Sequence, residues 1–127
     1  MYCNKTITCI NSLGNGLVVN ADTESVVIKP KGGLGGIGGN VIKSIALSNV
    51  RQFSKLTNCD IIGCGGIRNG EDAFHHILAG ASAVQVGSQF KYEGFGCFKR
   101  ITDELSEIMK QKKYECISDF KGKLNYI

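Results

Sequence analysis

Long apolar runs are missing from this chain. Stretches such as Ile61-Ile62 and Leu17-Val18-Val19 fall far short of the ~20 residues that a membrane-crossing helix needs. No charged-then-apolar segment opens the sequence, so it carries no secretory signal pattern, and a soluble, cytoplasmic protein is expected. C-x-x-C is also absent, although there are six cysteines (Cys3, Cys9, Cys59, Cys64, Cys97 and Cys116). Several of these lie inside apparent strands. Buried free thiols in a reducing compartment are therefore expected rather than a disulfide framework, and the spacing disfavours zinc. No metal site is expected. A one-sided basic face is lacking too: the net charge is +4, but Lys99, Arg100, Lys110, Lys112 and Lys113 are interleaved with Asp103, Glu104, Glu107 and Glu115. That is the pattern of a solvated helix, and with no stripe of interleaved stacking aromatics, nucleic-acid binding is not expected. No Gly-Lys-Ser/Thr triplet occurs, which removes the Walker A loop.

What is present is glycine. The 127 residues, 43% of them hydrophobic, are enough for one core, and residues 32–39 hold six glycines in eight positions. This stretch follows a β-branched run (Val26, Val27, Ile28) and precedes an amphipathic segment. Glycine reaches positive φ without penalty and lets main-chain N–H groups approach a ligand, so a glycine-rich loop between strand and helix is a candidate phosphate cradle. The competing reading is a merely flexible loop, against which stands the large entropy lost in ordering so many glycines.

The rest of the chain reads as three β-α units. Lys5 to Ile10 is a strand that feeds the polar loop Asn11 to Gly16. Leu17 to Asn20 and Ser25 to Lys29 form a small inserted hairpin. Val41, Ile42, Ile45, Ala46, Val50, Phe53 and Leu56 recur at helical spacing, with Asn40 available as N-cap. Cys59 to Gly63 is a second strand, followed by a helix from about Glu71 to Ala79 that starts at Asn69 or Gly70 and stops at Gly80. Ala83 to Val86 is the third strand, and Phe95, Phe98, Ile101, Leu105, Ile108 and Met109 are the buried stripe of a long final helix. Strands with little polar alternation, separated by helical crossovers, imply a parallel sheet buried on both faces.

Glycines follow each strand: Gly14 and Gly16, then Gly65 and Gly66, then Gly87. In a parallel sheet those ends share one edge, and in α/β barrels ligands bind there, with a phosphate site often built from the loops after the last strands. A complete barrel takes roughly 250 residues, so this chain has room for about half of one. Gly33-Leu34-Gly35-Gly36-Ile37-Gly38 also matches the dinucleotide pattern G-x-G-x-x-G. Its context disagrees: Pro30 interrupts the approach, the helix starts only after Gly39, and the next strand ends at Gly63-Cys64 rather than in an acidic residue for the ribose. His75 and His76 are adjacent on a helix, point in different directions and are read as surface residues.

With these residues in hand, the chain resembles the C-terminal half of the dihydroorotate dehydrogenases, most of all the cytosolic, fumarate-linked class 1A. The resemblance runs through Cys9 to Gly16, Glu24 to Lys31, Gly35 to Gly39, Ala46 to Val50, Gly63 to Ile67, Ala73-Phe74 with His76 to Ser82, and Val84 to Gly87. The Gly-Gly-Ile-Gly-Gly form of the loop favours class 1A. The resemblance implies an α/β fold in which residues 1–127 are a partial, FMN-binding TIM-barrel domain. They would be the C-terminal part of a (β/α)8 barrel, about strands 6 to 8 with their helices, plus a small β-hairpin insertion.

By the same resemblance, Gly39, Gly65, Gly66, Gly87 and Ser88 hold the FMN phosphate and ribityl chain, and Ile10 lies beside the flavin. Asn11 and Ser12 hydrogen-bond the substrate; as residues alone they also read as a turn starter. Ser88 stands where threonine is common and keeps the hydroxyl, and Ser44 replaces a usual proline. The implied reaction oxidises dihydroorotate to orotate in pyrimidine synthesis with fumarate as acceptor, in an enzyme that is a homodimer. The family's cysteine base and FMN-contacting lysine fall upstream of Met1, so no catalytic residue is assigned, Cys9 and Cys64 do not match the base's position, and the isolated chain is expected to be inactive. Other readings stay open: a non-catalytic phosphate- or nucleotide-binding half-barrel or Rossmann-like dinucleotide-binding module, and a purely structural piece.

Overall fold

A computed structural model describes residues 5–126; Cys3, among the expected free thiols, lies outside them. Three parallel strands form the central sheet: β1 (Thr6–Cys9), β6 (Asp60–Cys64) and β7 (Ala83–Gln85), in the order β1-β6-β7. Cys9 pairs with Gly63, and Gly63 with Val84. The three strands expected from their β-branched runs are therefore one sheet, with their C-terminal ends along one edge.

Crossovers follow the same logic. After β1 come β2 (Leu13–Leu17), β3 (Val19–Asn20), β4 (Ser25–Val26) and β5 (Leu34–Ile37), then helix α1 (Lys43–Leu56). Helix α2 (Gly70–Ala79) joins β6 to β7, and α3 (Ser88–Glu93) and α4 (Gly96–Gln111) follow β7. The helix α2 has the expected punctuation: the Asn69 side chain accepts from the Asp72 N–H at 2.8 Å, and Gly80 closes the helix at φ 130°.

The core lies between the helices and one face of the sheet. Cys9, Ile61, Ala79 and Ala81 pack with Val50 of α1, and Ile67 and Ala73 pack with Cys97 and Ile101 of α4. Phe120, from the C-terminal segment, is fully buried and stacks on Phe74 at 4.7 Å. Gly70 permits the close crossing of α2 and α4, since a Cβ there would sit 2.4 Å from the Leu105 backbone nitrogen. The other sheet face is open, with Thr6, Thr8, Asp60, Ala83 and Gln85 exposed. The expectation of a sheet covered on both faces is thus corrected: helices cover only the Cys9–Ile61–Val84 side.

Further corrections concern glycine and aromatic segments. The polar loop after β1 and the middle of the glycine stretch are strands: β2 pairs antiparallel with β5, Leu13 opposite Ile37 and Leu17 opposite Leu34. Glycines carry no side-chain alternation, so this pairing leaves no trace in a hydrophobic pattern. The inserted hairpin shortens to Val19 opposite Val26 and Asn20 opposite Ser25. Asn40 does not cap α1; a 3-10 turn (Gly39–Ile42) leads directly into it, and Val41 and Leu56 are exposed. The long final helix stands as α4, set off from α3 by Gly94, whose φ of 76° favours glycine, but two members of its expected buried stripe, Phe95 and Phe98, are 81% and 44% exposed. Among the cysteines, Cys9, Cys64, Cys97 and Cys116 are free thiols. Cys59 is disulfide-bonded, against expectation, and Cys116 is exposed.

Candidate functional site

The C-terminal edge of the sheet carries a cleft of about 330 Å³. Gly39, at the start of the turn into α1, Gly65 and Gly66, directly after β6, and Gly87 and Ser88, after β7, all line it. Five of the residues expected to grip a phosphate are thereby brought together by three separate segments of the chain.

Two of the glycines are required by their surroundings. Gly65 and Gly66 have φ of 134° and 73°, a region that favours glycine. A Cβ on Gly65 would lie 2.7 Å from the Ala46 Cβ, and one on Gly66 would lie 2.5 Å from the Lys43 Cβ. Helix α1 therefore packs directly behind this turn, and the opposite side of its backbone faces the cleft. Across the opening, a Cβ on Gly39 would approach the Ser88 Oγ to 3.5 Å, so the hydroxyl and the bare backbone face each other.

The turn is also held from beneath. His76, expected at the surface, is fully buried, with Nε2 3.0 Å from the Gly65 carbonyl oxygen. A carbonyl only accepts, so Nε2 carries the proton and donates. Nδ1 has no hydrogen-bond partner among the described residues. As the unprotonated nitrogen it has no N–H to satisfy, and it rests against Gly63, where a Cβ would come within 2.5 Å. Burial, opposed by the Gly65 hydrogen bond, lowers the His76 pKa, which keeps the ring neutral near pH 7. The sequence held a signal for this: His76 follows Ala73 by three positions on the buried stripe of α2.

Charge lies beside the turn as well. Asp72, 2% exposed, forms an ion pair with Lys43 through Oδ1. Its Oδ2 accepts from the Arg68 backbone N–H at 2.9 Å and from the Arg68 Nε at 3.3 Å. Burial pushes the Asp72 carboxyl up, but the Lys43 and Arg68 hydrogen bonds outweigh it and hold the pKa below the usual carboxylate range. Arg68 lines the cleft itself.

Ile10, Asn11 and Ser12 lie elsewhere. They follow β1 at the same sheet edge but do not line this cleft. The Ile10 N–H extends the sheet by donating to the Cys64 carbonyl at 2.7 Å, and its side chain packs on the cluster around Cys9. Asn11 is exposed, and its Oδ1 accepts from the Ser12 N–H at 2.7 Å, the local hydrogen bond of a turn starter. Ser12 lines a second cleft, of about 280 Å³, with Lys31 and Gly36. Gly14 and Gly16, read with the edge glycines, sit in β2. Among the described residues, no group of three or more His, Cys, Asp or Glu is placed to hold a metal ion, and no helix is long and apolar enough to cross a membrane.

A parallel sheet with helices on one face and a glycine-lined cleft at its C-terminal edge defines an α/β protein consistent with part of a TIM barrel. A family model described as dihydroorotate dehydrogenase matches residues 4–109, and the chain belongs to that family. Dihydroorotate dehydrogenase (fumarate) of Trypanosoma cruzi is 53% identical over 124 residues, covering 97% of this chain and 40% of that protein. The protein of the same name from Lachancea kluyveri is 53% identical over 121 residues, 94% of this chain and 38% of that one. Among solved structures, ligand-free DHODH from Eimeria tenella superposes with a TM-score of 0.68 at 36% identity, covering 79% of this chain and 28% of that one. The chain spans about two fifths of the length of the curated relatives it matches.

Proposed function

We propose that this chain is the FMN-phosphate end of a fumarate-linked dihydroorotate dehydrogenase, corresponding to about strands 6 to 8 of a (β/α)8 barrel. The convergence of Gly39, Gly65, Gly66, Gly87 and Ser88 on one cleft carries this reading. A glycine-lined cleft with no Cβ atoms at its closest points suits an anion held by main-chain N–H groups, and the Ser88 hydroxyl supplies an adaptable further partner. Ile10 lies beside the flavin, and Asn11 and Ser12 hydrogen-bond dihydroorotate or orotate. Asn offers donor and acceptor atoms together, which matches the imide edge of a pyrimidine.

When bound, FMN supplies the hydride acceptor for oxidation of dihydroorotate to orotate in pyrimidine synthesis, with fumarate as the final electron acceptor. The residues of this chain bind and orient; none of them takes the substrate proton. Cys9 and Cys64 do not match the position of the family's base, and burial, with Cys64 a lesser cause at Cys9, pushes both thiols further from ionisation. Both are protonated and poorly nucleophilic at neutral pH. The working enzyme is read as a cytoplasmic homodimer acting on small molecules.

Titration of the purified chain with FMN and with NAD tests the reading. FMN binding without NAD binding is expected; NAD preference overturns it in favour of a dinucleotide module, and binding of neither leaves a structural piece. The same preparation given dihydroorotate, FMN and fumarate is expected to form no orotate, and measurable orotate overturns the assignment of the proton-abstracting base to residues outside this chain.

A further inference from the structure

We propose that Arg68, held in place by the buried Asp72, is the phosphate-selecting residue of the glycine cleft and makes this chain discriminate FMN from riboflavin. The inference rests on the flavin reading above and adds to it a residue that the glycine pattern does not contain.

The geometry starts from the glycine turn. Lys43 stands directly behind Gly66, with its Cα 2.9 Å and its Cβ 2.5 Å from where a Gly66 Cβ would be. Its Nζ turns to the Asp72 carboxylate and lies 3.1 Å from the His75 Nδ1. From the other side, Arg68 contacts the same carboxylate through its backbone N–H and its Nε. Two cations thus converge on one buried anion, and the group keeps a net charge of +1 beside the cleft. The adjoining Arg100 group, one cation shared by two acids, carries −1 and offsets this charge at longer range, so selection rests on the donors that Arg68 presents to the cleft rather than on summed charge. Glu93 and Glu104 are both engaged by Arg100, and Glu104 also accepts from the Gly70 N–H at 2.7 Å. Glu71 faces His75 at 3.6 Å.

Within this group Arg68 is the member on the cleft. It is the one charged residue among the described residues that line the opening, and its side chain is half exposed. The Asp72 contact uses Nε, and among the described residues no hydrogen bond engages the Nη nitrogens. These are the donors that recognise a phosphate group bidentately. The Arg68 carbonyl accepts from Arg100 Nη2 at 2.9 Å, which fixes the backbone from which the side chain extends. Backbone N–H groups alone carry only partial charge; a guanidinium adds a full one in a partly enclosed site, where charge is less screened than in water. Riboflavin lacks the phosphate and gains nothing from it.

The test is titration of the full chain with FMN and with riboflavin, followed by flavin fluorescence, for the unchanged protein, Arg68→Gln and Arg68→Lys. The unchanged protein is expected to prefer FMN. Arg68→Gln should weaken FMN on the order of tenfold or more, the scale of one charge-assisted hydrogen bond, while the weak riboflavin binding stays where it is. Arg68→Lys should recover part of the loss, because the charge returns without the fork. Inorganic phosphate should compete with FMN in the unchanged protein and less so in Arg68→Gln. Circular dichroism and thermal melts of each variant separate a binding loss from unfolding. If folded Arg68→Gln keeps the original preference for FMN over riboflavin, the role of Arg68 is overturned and the flavin site stands. If the unchanged protein binds both flavins equally, the phosphate selection falls. If it binds NAD and no flavin, the underlying reading falls as well.

Discussion

Glycine is abundant in two regions of this molecule, and it does different work in each. In the turn after β6, the atoms crowding Gly65 and Gly66 are the Ala46 Cβ and the Lys43 Cα and Cβ, fixed parts of helix α1. In the β2–β5 arm, Gly16 and Gly35 also have close neighbours, but the nearest are side-chain carbons of Ile37 and Ile28, with the Gly35 carbonyl oxygen 3.2 Å from where a Gly16 Cβ would be. Ile37 and Ile28 are 40% and 42% exposed, and Leu17 and Val19 on the same arm are more exposed still. One set of glycines is locked in place by a packed helix. In the other, Gly16 and Gly35 lie mainly among side chains that have room to move, and Gly36 alone abuts a Cβ, that of Ser12. A glycine count treats both alike, and only the first set lines the cleft with Gly39, Gly87 and Ser88.

The largest test of this contrast is Gly66→Ala. At φ 73°, alanine incurs a left-handed backbone penalty, and its methyl collides with the Lys43 main chain. The two effects together give about 2–5 kcal/mol of destabilisation, a large share of the stability of a small domain. Urea unfolding followed by far-UV circular dichroism should show the midpoint fall. A midpoint unchanged from the starting protein would mean that α1 does not press on the turn.

Second in size is Asp72→Ala. This leaves Lys43 and Arg68 without their shared partner; Lys43 is 20% and Arg68 50% exposed, so both regain water and the loss is at the lower end for a buried pair, about 2–3 kcal/mol. The pH dependence has a definite sign. Asp72 has its folded pKa below the unfolded value of ~3.9. It therefore contributes stability that is present above pH ~4 and is lost as pH falls through the lower folded pKa. Denaturant midpoints of the unchanged protein should drop across that acid window, and the drop should be smaller in Asp72→Ala. Parallel acid profiles for the two would sink this account of the ion pair.

How much of this could be read from residue order depends on whether the decisive contact is local. The strands β1, β6 and β7 are legible because short β-branched or continuous apolar runs are stopped by turn formers, Asn11-Ser12 after β1 and glycine after β6 and β7, and α2 is legible because Asn69 and Gly80 are local start and stop signals. The membership of Gly65, Gly66, Gly87 and Ser88 in one cleft follows from parallel topology, which puts strand ends on one edge, whereas Gly39 follows the antiparallel β5 and is expected there only from the family resemblance. What escapes depends on distant partners. His76 is buried because Gly63, thirteen positions earlier, leaves it room. Nothing local to Arg68 or Lys43 signals that the Asp72 carboxylate joins them. The β2–β5 pairing escapes for a further reason, that its glycines encode no face. Phe95 misleads in the opposite direction: it keeps the helical spacing of a buried stripe, yet it follows the break at Gly94, ahead of α4, and is exposed to solvent.

The smallest expected effect comes from the same substitution in the other region. Gly14 lies in β2, is exposed, does not have a positive φ, and a Cβ placed on it would meet nothing within 4 Å. Alanine there adds no clash and no backbone penalty, and it narrows the conformations open to the unfolded chain. Gly14→Ala is therefore expected to leave stability unchanged or raise it by up to ~1 kcal/mol, with FMN affinity untouched. The sign matters more than the size. If Gly14→Ala lowers the urea midpoint as Gly66→Ala does, the arm is packed as tightly as the turn, and its glycines are held by contacts rather than left free. If Gly14→Ala weakens FMN without lowering the midpoint, the ligand reaches over the arm, and the division between a gripping edge and an uninvolved arm is drawn in the wrong place.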